Sequence, residues 1–446
     1  MFVDWLAAGR QRWWQMLPLG PPDGSGSPYN SPSAFAGSAG LVSLEDLVDD
    51  GLLTGAEIAD LYRDSERVDH AFVRDVRAPL VRVAAGRLLA DDPARVQAFA
   101  DEHPWARAWA EFAARKRQDP RAWWEWDDAD PPAEATAEEL AVQVIFEAQW
   151  SRLRAHAHER GVGLIGDLPI FVSADSADVF AHRELFLLGD DGRPEVVAGV
   201  PPDAFSPTGQ KWGMPLYDWE ANAAEGYRWW TARMAALLSR VDLVRIDHFR
   251  GFEAAWHVPA DDSDATSGRW VPGPGGALFS ALRDALGELP VIAEDLGVIT
   301  PPVERLRDDF GLPGMKILQF AFGGEPNHAY LPHCHPECSV VYTGTHDNQT
   351  TAGWWACIGD EEKARVARYL GGVTGEPSWD LLRLAWDSPA FLAVAPMQDV
   401  LGLDDAARFN VPGLADGNWG WRLEAPPSPV LAGRLAEVTL RSRRAR

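Results

Sequence analysis

Residues 242–251 read Asp-Leu-Val-Arg-Ile-Asp-His-Phe-Arg-Gly, which gathers Arg245, Asp247, His248 and Arg250 at the end of an apolar run. A carboxylate in such a place keeps its charge only if it is paired and hydrogen-bonded. Arg245 and Asp247, two residues apart, share one face of a strand. Two later stretches have the same design: Val291-Ile292-Ala293 leads into Glu294-Asp295, and Val340-Val341-Tyr342-Thr343-Gly344-Thr345 leads into His346-Asp347-Asn348. A retaining glycosidase-type reaction needs a nucleophilic carboxylate and an acid/base carboxyl about 5–5.5 Å apart. Asp247, beside Arg245, suits the ionised nucleophile. Glu294, flanked by Asp295, suits the proton donor, whose pKa must be raised. His346-Asp347 adds a third acid and an imidazole able to hold sugar hydroxyls. Taken singly, each acid reads as readily as a strand-end ion pair. Three at the carboxyl ends of three apolar strands read as the mouth of a parallel barrel.

The elements that must position these residues alternate along the chain. Strands are expected at 14–20, 163–172, 242–247, 290–294, 314–321, 339–345 and 392–397, and helices at 2–13, 138–159, 225–240, 302–309, 360–370 and 377–386. That alternation predicts parallel βα units and a (β/α)8 TIM-type barrel with helical insertions. One catalytic barrel spans 1–446, with a mainly helical subdomain inserted at 44–140. A loop-rich insertion at 174–219 lies over the active site; its prolines, Gly209 and Gly213 argue against regular structure there. The Gly/Ser/Pro stretch 21–37, which contains Tyr29, Asn30 and Phe35, reads as a sugar-contacting loop.

Composition narrows the partners. The formal charge of −25, from 41 basic and 66 acidic residues, excludes nucleic acid and anionic membrane surfaces as expected partners and suits a neutral substrate. No apolar run approaches the roughly 18–20 residues that cross a bilayer, and the start lacks a signal-peptide pattern. The sparse, odd set Cys334, Cys338 and Cys357 suits a reducing cytoplasm. The 21 tryptophans supply flat rings that stack on sugars, although most are expected in the core. His333-Cys334-His335-Pro336-Glu337-Cys338 has metal-ligand residue types, but the spacing is cramped and no second Cys/His pair is near, so a surface loop is expected.

The motifs together resemble the 4-α-glucanotransferases called amylomaltase or disproportionating enzyme, glycoside hydrolase family 77 of the α-amylase clan. Those that carry the resemblance are WQMLPLGP, SPYNSPSAFAG, LIGDLPIFVSADSADVF, PPDAFSPTGQKWGMPLYDW, VRIDHFRGFEAAWHVP, VIAEDLGVIT, GMKILQFAF, VYTGTHDNQTTAGWW and APMQDVLGL, with the Asn410-Val411-Pro412-Gly413 region after them. They run in the family's order over almost the whole chain.

The resemblance implies Asp247 as nucleophile, Glu294 as general acid/base and Asp347 as transition-state stabiliser. It implies that Arg245 pairs with the nucleophile and that His346 contacts the sugar bound there. Tyr29, Asp203, Gln210, Trp212 and Asn410 would contact glucan, and 203–213 would be a mobile loop shielding the glucosyl-enzyme. Substrates would be malto-oligosaccharides, with no metal and no organic cofactor. A hydrolase of the same clan and a non-catalytic glucan-binding protein are the alternatives. Two departures stand out. The family usually carries a further strand before the segment matching Phe2, so the first barrel strand is expected to be missing, leaving unpaired edges. Gln349 stands where the family usually has Asp.

Overall fold

The computed structural model of the chain describes residues 1–61, 65–127, 130–202, 206–414 and 416–445. In chain order its strands are β1 (Trp13–Gln15), β2 (Gly163–Pro169), β3 (Val196–Val200), β4 (Gln210–Pro215), β5 (Leu243–Asp247), β6 (Ala254–Pro259), β7 (Arg269–Pro272), β8 (Val291–Ala293), β9 (Gly314–Ile317), β10 (Ser339–Tyr342) and β11 (Leu392–Val394). One sheet has the order β1-β2-β5-β8-β9-β10-β11, and every ladder in it is parallel. The other, β4-β3-β6-β7, is antiparallel.

The two-residue period of a strand sorts the barrel's side chains. Ile165, Leu243, Ile292, Met315, Ile317, Val340, Tyr342 and Leu392 form one buried cluster, filling the inside of the barrel. Their sequence neighbours Leu164, Val244, Val291, Ala293 and Val341 belong to the larger core shared with the surrounding helices. By the same alternation Asp167, Arg245, Asp247 and Glu294 fall on the inner face, above that apolar plug.

Among the described residues seven of a barrel's eight strand positions are filled, in agreement with the expected missing strand. β1 and β11 are the two edges and form no ladder with each other among the described residues. An apolar cavity of about 870 Å³ lies at this gap, lined by Trp14, Met16, Trp386, Ala393 and Val394, and its inner end reaches Arg245 and His346. Gln15 on β1 and Tyr342 on β10 bridge the interior beside it, the phenol donating to Gln15 Oε1 at 2.9 Å.

Helices Ala78–Asp91 and Pro104–Gln118 pack on the long helix Ala133–Glu159 before the chain enters β2. Arg82 and Arg117 both pair there with the buried Glu139, at 2.8 and 3.2 Å.

Several elements are shorter than their apolar patterns. The first helix is Phe2–Ala8, the strand expected at 14–20 is Trp13–Gln15, and β9 passes at Leu318 into a 3-10 turn. Beyond the barrel mouth the apolar residues continue outside the sheet, with Leu19 and Leu318 buried and Phe320 exposed. Residues 210–215, expected as loop, form β4: Gly199 lies so close to Gln210 that a side chain there would meet the Gln210 carbonyl, and that absence lets β3 and β4 pair.

Candidate active site

Arg245 is the centre of charge. Its side chain is 4% exposed; Nη1 donates to both oxygens of Asp167, at 2.8 and 2.7 Å, and Nη2 donates to Asp247 Oδ1 at 2.8 Å. The register explains the first contact, because Asp167 on β2 lies opposite Arg245 on β5. Tyr29 Oη also donates to Asp167 Oδ2, at 2.6 Å. Burial pushes the Asp167 carboxyl up, opposed by the charge of Arg245 and reinforced by that of Asp247. Burial works against the Arg245 cation as well, but Asp167 and Asp247 hold its pKa well above the ordinary value. An arginine suits this place because its planar fork can serve two carboxylates at once.

Glu294 lies one residue beyond β8. Its Oε2 accepts from the backbone N–H of His248 at 2.7 Å and its Oε1 from that of Leu296 at 2.9 Å. Two amide donors favour the charged form, yet the pKa is pushed up to about 8, first by burial and then by the charge of Asp247. The raised value was expected, but its source was not. Asp295 points away from Glu294, accepting from Met315 N at 2.7 Å and from Arg307 Nη1 at 2.5 Å, so it anchors β9 instead.

Asp347 sits on the loop after β10 and is pinned from several sides. Asn410 Nδ2 donates to its Oδ1 at 2.7 Å, His346 Nε2 lies 3.4 Å from the same oxygen, and Arg408 Nη2 donates to its carbonyl. The loop itself is tied down by the buried Asp399, which accepts from Thr343 Oγ1 at 2.5 Å and from Thr351 N at 2.7 Å. Gln349 Nε2 donates to Asp405 Oδ2 at 2.6 Å. An amide here meets the carboxylate of Asp405 as a donor, which an ionised Asp could not do. The Tyr29 ring stacks on His346 at 5.0 Å between centroids, and Trp419 closes the triangle at 5.6 and 5.9 Å.

Trp212 reaches the site from β4. Its Nε1 donates to Gln210 Oε1 at 3.1 Å, and its ring stands edge to face with His248 at 5.0 Å. Of the residues singled out in the sequence, Asp247, Glu294, Asp347, Arg245, His346, Tyr29 and Asn410 thus form one connected set, joined by Trp212 and Gln210 through His248. Asp203 lies outside the described residues.

A family model described as 4-alpha-glucanotransferase matches residues 1–427. The chain belongs to the 4-α-glucanotransferase family. Within it, the chain is 46% identical over 471 residues to the 4-alpha-glucanotransferase of Thermus thermophilus, covering 99% of this chain and 94% of that one. It is 43% identical over 465 residues to that of Streptococcus pneumoniae serotype 4, covering 99% and 92%. Among solved structures, an amylomaltase from Streptococcus agalactiae in complex with acarbose superposes with a TM-score of 0.95 at 34% identity, covering 99% of this chain and 94% of that one.

For this 4-α-glucanotransferase family member, reasoning from the residues overlooked Asp167 and gave His248 no role. Asp167 had a usable signal, since a lone acid inside the apolar run Leu164-Ile165-Gly166-Asp167-Leu168 needs a cationic partner. The metal-like cluster disperses: His335 Nδ1 faces Ser388 Oγ and its Nε2 faces Tyr330 O, both at 2.8 Å, while His333 Nδ1 faces Tyr369 Oη at 2.9 Å. Among the described residues no three His, Cys, Asp or Glu side chains are grouped to hold a metal ion, and no helix is long and apolar enough to cross a membrane.

Proposed function

We propose that this 4-α-glucanotransferase moves α-1,4-glucan segments between malto-oligosaccharides by retaining double displacement. One observation carries the reading: two carboxyls of one barrel mouth are treated oppositely. Asp247 is paired to Arg245, while Glu294 is buried and raised to about 8 by burial and by that neighbour.

Asp247 attacks the anomeric carbon as the glycosidic C1–O bond breaks, and Glu294 gives its proton to the departing 4-oxygen. The product is a covalent glucosyl-enzyme on Asp247. Glu294, now ionised, takes the proton of an incoming glucan's 4-hydroxyl. That oxygen attacks C1, the bond to Asp247 breaks, and the α-configuration is restored. Arg245 pairs with Asp247 and orients it. Asp347 and His346 hold ring hydroxyls as the oxocarbenium develops, with Asn410 fixing Asp347. Tyr29, Asp203, Gln210 and Trp212 contact the glucan chain. The loop-rich insertion 174–219 lies over the active site, with the run 203–213 shielding the glucosyl-enzyme, and helices inserted within 44–140 flank the barrel. No metal or organic cofactor enters these steps. The cytoplasm suits a chain whose Cys334, Cys338 and Cys357 are all unpaired.

Pure maltotriose tests the reading, with product length, glucose and total reducing ends followed together. Longer glucans and glucose at constant reducing ends are expected. Rising reducing ends with shorter products alone would make the chain a hydrolase. Binding of maltotriose without turnover would make it a glucan-binding protein.

A further inference from the structure

Arg233, on the helix Arg228–Arg240, is 3% exposed, and no ion pair among the described residues includes it. Its neighbours Arg240 and Arg245 are buried too, but each has a carboxylate, Glu147 for the first and Asp167 with Asp247 for the second. Asp178 acts on Arg233 through space only; that carboxyl accepts from the backbone N–H of Ala34 at 2.7 Å. Burial accordingly pushes the Arg233 pKa down, with Tyr217 and Asp178 opposing it. A buried charge without a bonded counter-charge is costly.

Its hydrogen bonds are incomplete as well. A guanidinium carries five N–H groups. Nη1 donates to Ile170 O at 3.1 Å and to Tyr217 Oη at 3.4 Å, and Nη2 donates to Pro169 O at 2.5 Å. The buried Nε–H has no partner among the described residues, and Nη2 has a second N–H to give. Nε and Nη2 lie along one edge of the planar fork, the edge that grips an anion with two parallel bonds. Trp229 Nε1 and Trp230 Nε1 are also buried and unpartnered, and their rings flank the same guanidinium at 5.4 and 5.1 Å. The unpartnered side-chain groups of this helix are therefore all donors.

A cavity of about 50 Å³ lies against Arg233. Leu237 and Arg240, four and seven residues further along the same helix face, line it with Asp167 and Pro169 of β2 and with Ser33. The volume suits a few waters or one ion of similar size. Of the charged groups in its wall, Arg240 and Asp167 are already paired, and Arg233 is the one that is not. A water would satisfy the N–H groups and leave the charge unbalanced.

We infer that this cavity is a binding site for a small monovalent anion of halide size, held on the Nε–Nη2 edge of Arg233. One unpaired cation calls for one negative charge, and Asp167 in the same wall repels a doubly charged guest such as phosphate. The ion fixes Arg233, and through it the Pro169 and Ile170 carbonyls at the end of the strand that carries Asp167.

Halide exchange tests the site. Protein freed of halide in sodium gluconate, whose anion is too large for the cavity, is melted while chloride replaces gluconate at constant ionic strength, so that screening does not change. A saturable rise of at least about 2 °C in unfolding temperature is expected. Arg233→Gln keeps an amide donor without the charge and should lose the rise. Arg233→Lys restores the charge without the fork and should recover only part of it. Crystals of the parent protein grown in sodium bromide should give an anomalous peak in the cavity against Arg233, a measurement that decides the matter even if neither variant folds. No chloride-dependent rise in the parent, the same rise in a folded Arg233→Gln variant, or bromide found only on exposed arginines would each overturn the assignment.

Discussion

Both oxygens of Asp167 accept from a single nitrogen of Arg245, at 2.8 and 2.7 Å. The guanidinium's other terminal nitrogen is thereby turned to Asp247. Asp167→Asn should leave Arg245 paired with Asp247 alone and more weakly anchored, and breaking a buried pair costs up to about 3–5 kcal/mol. Calorimetry should show a lower unfolding temperature, and kcat should fall by more than KM changes. An Asn variant with the parent's kcat would mean that Asp167 does not position Arg245.

Arg245→Lys asks the same question of the cation. A lysine offers one charge centre and no fork, so it cannot serve Asp167 and Asp247 in this geometry. Expression with an intact circular dichroism spectrum and at least a hundredfold loss of kcat is the expected result. Near-parental turnover would show that charge alone suffices.

Asp247→Asn should lower turnover by roughly 10⁴–10⁶-fold, the scale seen when a covalent nucleophile is removed. Glucan affinity should stay close to the parent's, measured by titration calorimetry with maltoheptaose. Retained turnover would reassign the nucleophile.

Glu294 predicts two pH effects of related origin. As the acid it must be protonated to start the reaction, so glucosyl-enzyme formation should fall as pH rises through about 8. Stability should move the same way. The unfolded carboxyl loses its proton near its ordinary value and the folded one only near 8, so between these the folded state holds the extra proton and stability falls with rising pH. Glu294→Gln mimics the protonated form. Its unfolding temperature, compared with the parent's from pH 5 to 8, should gain steadily; a constant difference would contradict the raised value.

Gln349 donates to Asp405 at 2.6 Å on the loop that carries Asp347. Gln349→Asp should set two carboxylates against each other and lower the unfolding temperature by a few degrees, consistent with losing a charge-assisted hydrogen bond of about 1.5–3 kcal/mol. Adding Asp405→Asn should recover most of that loss. Failure of the second change to rescue would place the cost elsewhere.

The sequence by itself determined the parallel barrel and singled out three of the acids at its mouth, Asp247, Glu294 and Asp347. Both are local properties: apolar runs of strand length alternate with helices, and Arg245, Asp247, Glu294 and Asp347 stand at or just beyond the ends of those runs. Strand limits were overestimated at 14–20 and 314–321 because apolar character runs past the sheet, where Leu19 and Leu318 are buried without strand pairing. What surrounds each acid was decided only by the tertiary structure. Asp295 adjoins Glu294 in sequence yet faces Arg307, whereas Asp167 lies 78 residues from Arg245 and shares its proton donors. The reason is the pleat: neighbours along a strand point to opposite faces, and neighbours across a ladder point to the same one. Asp247 is paired within its own strand by Arg245, but the field at Asp167 and Glu294 is set by the second kind of neighbour, which no spacing along the chain reveals.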